Sequence, residues 1–285
     1  HEAGIPAGVI NLINGVPDMV SPVLMNGPRV RKISLTGSVR VGKLLVQASA
    51  ATLKRTTMEL GGHAPVIVFG DTNAEAIAEQ AALVKFKHCG QVCASPSRFF
   101  IHESQAEEFT NKFIEIARNF KLGNGLDSDV DIGPLATRKR LNEVEQMVAG
   151  TLESGARLRL GGKRPEGFAR GFFYEPTVFD QVPDHAPILK EEPFGPLVPI
   201  TTFRKFDEMI ERANSLEYGL TSYVFTRSQR LAHDTADALE AGLVAVNTFA
   251  LASAETPYSG IKQSGFGREG GSQGIHDYLN VKYVN

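Results

Sequence analysis

Short apolar runs alternate with longer stretches of helical spacing along the whole chain. The runs predict strands at residues 9–13, 30–36, 65–69, 98–102, 196–203, 222–226, 243–247 and 278–284. The longer stretches predict helices at 41–53, 74–88, 105–120, 138–154, 207–214 and 229–241. Two of these open with capping-box spacing, Thr72 with Glu75 and Ser104 with Glu107. Alternation of this length predicts an α/β fold with largely parallel sheets. Residues 161–171 read as a polar hairpin-like loop. Residues 183–196 hold four prolines and exclude regular structure, and residues 256–274 read as a long ordered Gly/Ser-rich loop.

The chain has 285 residues, enough for one large domain or two ordinary ones. A hydrophobic fraction of 42% with 28 glycines and 15 prolines excludes collagen-like and disordered classes. Thirty basic against 32 acidic residues give no overall attraction to nucleic acid or anionic lipid, and no apolar run spans a bilayer. The opening HEAGIPAGVINLINGVPD has no secretory-signal pattern and leads straight into a strand-like run, as if entering a fold midway. Two cysteines, Cys89 and Cys93, make neither a disulfide framework nor a zinc pattern. They fit a reducing compartment, so a cytoplasmic location is expected.

Four segments carry candidate chemistry. In Gly90-Gln91-Val92-Cys93 a thiol sits at a glycine turn between regular elements. Free N–H groups there could activate a thiolate and hold an oxyanion, although a cysteine so placed, taken alone, is more often a small buried hydrophobe. Glu59, in Met58-Glu59-Leu60-Gly61-Gly62, stands between an apolar strand and a Gly-Gly turn. It is either a general base with a raised pKa or a solvent-facing strand end. The stretch from Ser34 through Gly37 and Ser38 into a helix is either an anion site or a plain βα turn. Lys190-Glu191-Glu192-Pro193-Phe194-Gly195-Pro196 could offer Glu192 to a ribose diol and the Phe194 ring to a cofactor, or be an exposed acidic turn.

Taken together and in this order, MELGG, FKHCGQVCASPSR, EEPFGP, VNTF and PYSGIKQSGFGRE resemble the aldehyde dehydrogenase superfamily over essentially the whole chain. Glu59 and Cys93 stand 34 positions apart, which suits that family's paired acid and thiol. The resemblance implies an aldehyde-dehydrogenase-like α/β fold. Residues 1–62 would be the remainder of a Rossmann-type dinucleotide-binding domain and 63–250 the catalytic domain. Residues 251–274 would form a return loop and 275–285 an oligomerisation strand. It also implies a segment ahead of residue 1, with an oxyanion Asn and a ribose-binding Lys, without which the chain would be inactive.

The implied activity is oxidation of a small aldehyde with NAD or NADP. Cys93 is the implied nucleophile and Glu59 the base. Gly37, Ser38, Glu192 and Phe194 would hold the cofactor, and Glu269 is a possible second acid. MELGGHAPVIVF and GQVCASPSRFF look most like the succinate-semialdehyde and α-ketoglutarate-semialdehyde branch. That branch often carries an Arg where Lys87 stands, so Lys87, with Ser253, is the candidate for a substrate carboxylate. Cys89 reads as packing, Lys262 has no role, and no metal is implied. A homo-oligomer, dimer or tetramer, is expected. The competing readings are a cysteine acyl-transfer hydrolase, with His88 as the nearby base, and a non-catalytic fragment that only pairs with other chains.

Overall fold

The computed structural model describes residues 2–285. After α1 (Pro17–Asn26) come β1 (Lys32–Thr36), α2 (Val39–Ser49) and β2 (Arg55–Glu59). The chain continues through β3 (Ala64–Val68), α3 (Ala74–Lys85), β4 (Pro96–His102), α4 (Ala106–Arg118) and α5 (Arg138–Glu153). There follow β5 (Arg157–Leu160), β6 (Thr177–Asp180), α6 (Pro187–Lys190), β7 (Leu197–Phe203), α7 (Phe206–Asn214) and β8 (Tyr218–Gly219). Last come β9 (Thr221–Phe225), α8 (Gln229–Ala238), β10 (Leu243–Val246), β11 (Ile261–Lys262), β12 (Gly265–Phe266) and α9 (Gly271–His276).

Two main sheets result. The larger runs β10-β9-β3-β4-β7-β6-β5 and is parallel except for the β5–β6 pair. The polar stretch 161–171 lies in the connection between those two antiparallel strands. The smaller sheet runs β1-β2-β12, with β1 and β2 parallel and β12 antiparallel to β2.

β3, all five residues buried, and β4, six of seven, have the uninterrupted apolar character of strands covered on both faces. One face packs on Ala74, Ala78 and Ala81 of α3 and on an aromatic cluster in which Phe99 meets Phe113 at 5.6 Å and Phe109 at 6.0 Å. The small alanines let α3 approach closely while the rings fill the space behind it. Ile67, Phe100, Phe203, Met209 and Val224 cover the opposite face.

Several sequence expectations change. Residues 9–13 form bends and coil, with Leu12 88% exposed, and residues 278–284 pair with no strand among the described residues. Apolar alternation makes a strand only when another edge is there to bond it. The helix at 74–88 ends at Lys85, and its cap is Asn73, not Thr72: the Asn73 side chain accepts from Ala76 N–H. Thr72 instead donates to Phe69 O. Ser104 is spent on His102 Nδ1, so α4 starts without a side-chain cap. The proline-rich 183–196 stretch contains one helical turn, α6, because Pro187 occupies its first position, where no N–H is needed. Residues 256–274 hold two short strands, β11 and β12. Among the described residues no helix is long and apolar enough to cross a membrane.

Candidate active site

Adjacency in the large sheet assembles the site. β3, β4 and β7 are neighbours and parallel, so the segments just before them converge on one edge. Those segments are the Gly-Gly turn before β3, the Cys93 loop before β4, and the Glu192–Phe194 loop before β7. Residues 60–63 also link that edge to the end of β2, where Glu59 is the last residue. The site therefore lies between the C-terminal edge of the small sheet and the N-terminal edge of the large one.

Glu59 is 5% exposed and pairs in register with Thr36 and Gly265. Its carbonyl accepts from Gly37 N–H at 3.0 Å, which fixes the β1 turn against it. Neither carboxylate oxygen has a hydrogen-bond partner among the described residues. Burial pushes the carboxyl up to about 7. The adjacent Ser259 hydroxyl lowers it somewhat, the Glu269 charge adds to the rise and Arg268 opposes it. A carboxyl poised there can take a proton from water near neutrality.

Cys93 is part-exposed, whereas Cys89 is buried. Burial pushes the Cys89 thiol up to about 12, as suits the packing role expected of it. The Cys93 thiol is also raised by burial, less so, and is drawn down by Tyr258 and by the Ala94 and Cys93 backbone N–H groups. The loop that presents it is strained. His88, Cys89 and Gly90 all have left-handed backbones, at φ 50°, 58° and 72°. The Tyr223 hydroxyl donates to Ala94 O at 2.6 Å, pinning the loop from β9.

Glu192 meets the Gly-Gly turn directly: Gly62 N–H donates to its Oε1 at 3.1 Å. A Cβ on Gly61 would lie 2.5 Å from Oε2, so any larger residue there would push the Glu192 carboxylate aside. Burial raises this carboxyl too, to about 7. Phe194 has a left-handed backbone, φ 37°, and its ring carries Arg140 at 5.4 Å. Ser38 caps α2, its hydroxyl accepting from Val41 N–H at 3.4 Å. Gly37 and Ser38 are exposed. These residues fit a dinucleotide: a parallel strand pair leads into an 11-residue helix whose Val39 and Arg40 N–H groups make no hydrogen bond among the described residues, and Glu192 offers a carboxylate for a diol.

The remaining sequence candidates lie farther out. Lys87 is exposed and has no carboxylate partner among the described residues. Ser253 is exposed and contacts Thr256 Oγ1 at 3.3 Å. Glu269 is exposed, yet its backbone pairs with Tyr258. Lys262, given no role, donates to Asn214 O and Leu216 O and pairs with Glu240. His88 is exposed, and no hydrogen bond joins its ring to Cys93 among the described residues.

Sequence reasoning missed three residues. Tyr258 places its hydroxyl 3.8 Å from Cys93 Sγ. Ser264 donates to Gly61 O at 2.7 Å and accepts from Gly219 N–H, locking the Gly-Gly turn. His63, 2% exposed, bonds Ser97 Oγ at 2.8 Å and donates from Nε2 to Ile188 O at 2.9 Å. Only Tyr258 left a signal, an aromatic after proline inside a Gly/Ser-rich loop. A cavity of about 810 Å³ opens elsewhere, but its cations are spent: Arg157 and Arg159 bind Asp180, and Arg212 binds Asp184.

The aldehyde dehydrogenase family profile matches residues 1–284. The chain is 43% identical over 284 residues to 3-sulfolactaldehyde dehydrogenase of Pseudomonas putida, and the match covers all of this chain. It is 40% identical over 283 residues, 99% of its length, to the succinate-semialdehyde dehydrogenase [NADP(+)] GabD of Escherichia coli. The crystal structure of succinate-semialdehyde dehydrogenase from Burkholderia pseudomallei superposes with a TM-score of 0.95 at 40% identity, covering 99% of this chain and 58% of that one. The chain likewise spans 58% of the length of each of the two curated relatives. The matching architecture, the likeness over nearly the whole chain and the placing of Glu59, Cys93 and Glu192 on the facing edges of the two sheets lead to one conclusion: this chain belongs to the aldehyde dehydrogenase family.

Proposed function

We propose that the chain carries the catalytic centre of an NAD- or NADP-dependent dehydrogenase. Its substrate would be a small anionic aldehyde, succinate semialdehyde or a close analogue, oxidised to the acid through a thioester on Cys93. One observation carries the reading: a part-exposed thiol and a buried carboxyl raised to about 7 lie on the two sheet edges that face each other, and Tyr258 feels the charge of both. The Cys93 thiolate attacks the carbonyl carbon, forming the S–C bond and moving the π pair onto oxygen. The Cys93 N–H donates to no oxygen among the described residues; it draws on its own sulfur before attack and can turn to that oxyanion once the sulfur pair is in the S–C bond. A nicotinamide dinucleotide, when bound, would supply the hydride acceptor that oxidation of this adduct to a thioester requires. Glu59 then takes a proton from water as the water attacks the thioester, and the C–S bond breaks with its pair on sulfur.

Glu192 would hold the nicotinamide ribose with Phe194 beside it, and the α2 start at Gly37 and Ser38 would receive the pyrophosphate. Residues 1–62, 63–250, 251–274 and 275–285 keep the division proposed from sequence, with a cytoplasmic location. A homo-oligomer is part of the proposal. β10 is an edge strand, and the tail leaves Val281 and Tyr283 exposed. The acyl-transfer reading finds less support, because the side chain that meets Cys93 is a tyrosine and not a histidine.

Lys87 tests the substrate class. With cofactor present, Lys87→Ala should raise KM for succinate semialdehyde well above its effect on a neutral aldehyde of similar length. A desolvated pair is worth about 2–5 kcal/mol, a screened surface pair under about 1 kcal/mol. Equal effects on both aldehydes return Lys87 to the solvent. In a protein that also carries the segment expected ahead of residue 1, no reduced cofactor from any aldehyde, with Cys93 intact, rejects the dehydrogenase.

A further inference from the structure

Tyr258 is the one side chain among the described residues within hydrogen-bonding range of the Cys93 sulfur, its hydroxyl 3.8 Å from Sγ. Such contacts are commonly long before substrate binds and tighten in the reacting complex. The ring is not placed there loosely. Tyr258 N–H donates to Glu269 O at 2.7 Å, and Glu269 N–H donates back to Tyr258 O at 2.9 Å. The next residue, Ser259, is fully buried, and its carbonyl oxygen lies 1.8 Å from where a Cβ on Gly242 would sit. The loop is thus clamped on both sides of the ring.

The second tyrosine of the site, Tyr223, cannot do the same work, because its hydroxyl is committed to Ala94 O. Burial and the charge on sulfur hold the Tyr258 phenol well above its ordinary range, so it remains protonated and can only donate to a thiolate. The other charged groups act differently. Glu192, from the loop before β7, raises the Cys93 thiol. Glu59, from the end of β2, acts on the Tyr258 phenol in the same upward sense.

We propose that Tyr258 is a further catalytic residue, whose phenol O–H donates to the Cys93 sulfur whenever that sulfur carries negative charge. The inference rests on the dehydrogenase reading for its catalytic meaning. Before attack, the O–H···S contact stabilises the thiolate; as the S–C bond forms from the sulfur pair, the contact weakens. In hydrolysis, water oxygen bonds to carbon, its proton passes to Glu59, and the C–S pair returns to sulfur, where the phenol again meets it. The phenol keeps its proton throughout and acts on both the nucleophile and the leaving group.

Tyr258→Phe keeps the ring and removes only the donor. The test follows the rate of Cys93 alkylation by iodoacetamide against pH, read on the Cys93 peptide by mass spectrometry, with the melting temperature as a control for folding. The expected result is a rise of about one unit in the apparent thiol pKa and about a tenfold slower alkylation near neutrality, at an unchanged melting temperature. A pH profile that superposes on the parent's overturns the proposal. A second measurement separates this from the dehydrogenase reading: acyl-Cys93 formed with aldehyde and cofactor. Acyl-enzyme in Tyr258→Phe at the parent's rate rejects Tyr258 and keeps the dehydrogenase. A shifted thiol pKa without acyl-enzyme in a parent that carries the segment expected ahead of residue 1 rejects the dehydrogenase while leaving the hydrogen bond in place.

Discussion

Gly90 faces the carbonyl of Gly195 so closely that a Cβ on Gly90 would lie 2.2 Å from that oxygen. The Cys93 loop and the loop carrying Glu192 and Phe194 are thereby pressed together backbone to backbone, and only glycine permits the approach. Gly90→Ala also meets a left-handed φ of 72°. The variant should lose about 2 kcal/mol or more of stability, and Cys93 alkylation should change with it. Gly125→Ala, where a Cβ has nothing within 4 Å, should stay within about 0.5 kcal/mol. Urea unfolding of both variants decides; equal stabilities would mean the two loops are not in contact.

The two thiols should separate sharply under iodoacetamide. Cys93 is part-exposed, while Cys89 is buried and raised to about 12. Peptide mapping in native buffer should find label on Cys93 well before Cys89, and an aldehyde substrate should protect Cys93 alone. Matching rates for both would remove Cys93 from the nucleophile's place.

Glu59→Gln should leave acylation of Cys93 and the burst of reduced cofactor largely intact while slowing thioester hydrolysis. In the parent, hydrolysis should rise as pH passes through about 7, because the base acts only when deprotonated. Loss of the burst itself would place Glu59 earlier in the reaction.

The same carboxyl affects stability with a definite sign. Its folded value, about 7, lies above the ordinary 4.5, so the native state binds the proton more tightly than the unfolded chain. That contribution is fully present below 4.5 and fades as pH rises through 7. Glu192, raised in the same way, acts in the same window. Melting curves of Glu59→Gln should therefore fall less steeply from pH 4.5 to 7 than those of the parent. A parallel fall would mean that burial does not hold the proton on Glu59.

His63 should show the opposite slope. Its buried ring is held well below 6.5, chiefly by burial and then by the nearby Arg98 charge. The unfolded chain binds the proton more readily, so this contribution is present above 6.5 and lost as pH falls below it. His63→Leu should remove that acid sensitivity. It should also strand Ser97 Oγ and Ile188 O, at about 1–3 kcal/mol for each stranded group. Ile188 belongs to α6, which leads into Glu192, so cofactor affinity should weaken as well. An unchanged affinity would confine His63 to packing.

The sequence by itself determined what is local. Helical and strand periods are set by residues a few positions apart, and most of the predicted helices and large-sheet strands form close to where the pattern puts them. The Gly-Gly turn, the Cys93 loop and the Glu192 loop could each be read as a candidate, but none could be told from an ordinary turn by its own residues. The family resemblance resolved that by their joint order along the chain. Tertiary structure decided what met what. Gly62 bonds Glu192 across 130 positions because β3, β4 and β7 pair side by side, and Tyr258 reaches Cys93 across 165 because the chain after β10 returns to pair β12 with β2. It also decided where alternation fails: residues 9–13 and 278–284 carry strand patterns without forming strands. The physical reason is common to both outcomes. A strand is completed, and a site assembled, by hydrogen bonds to a partner far away in sequence, and no local pattern names that partner.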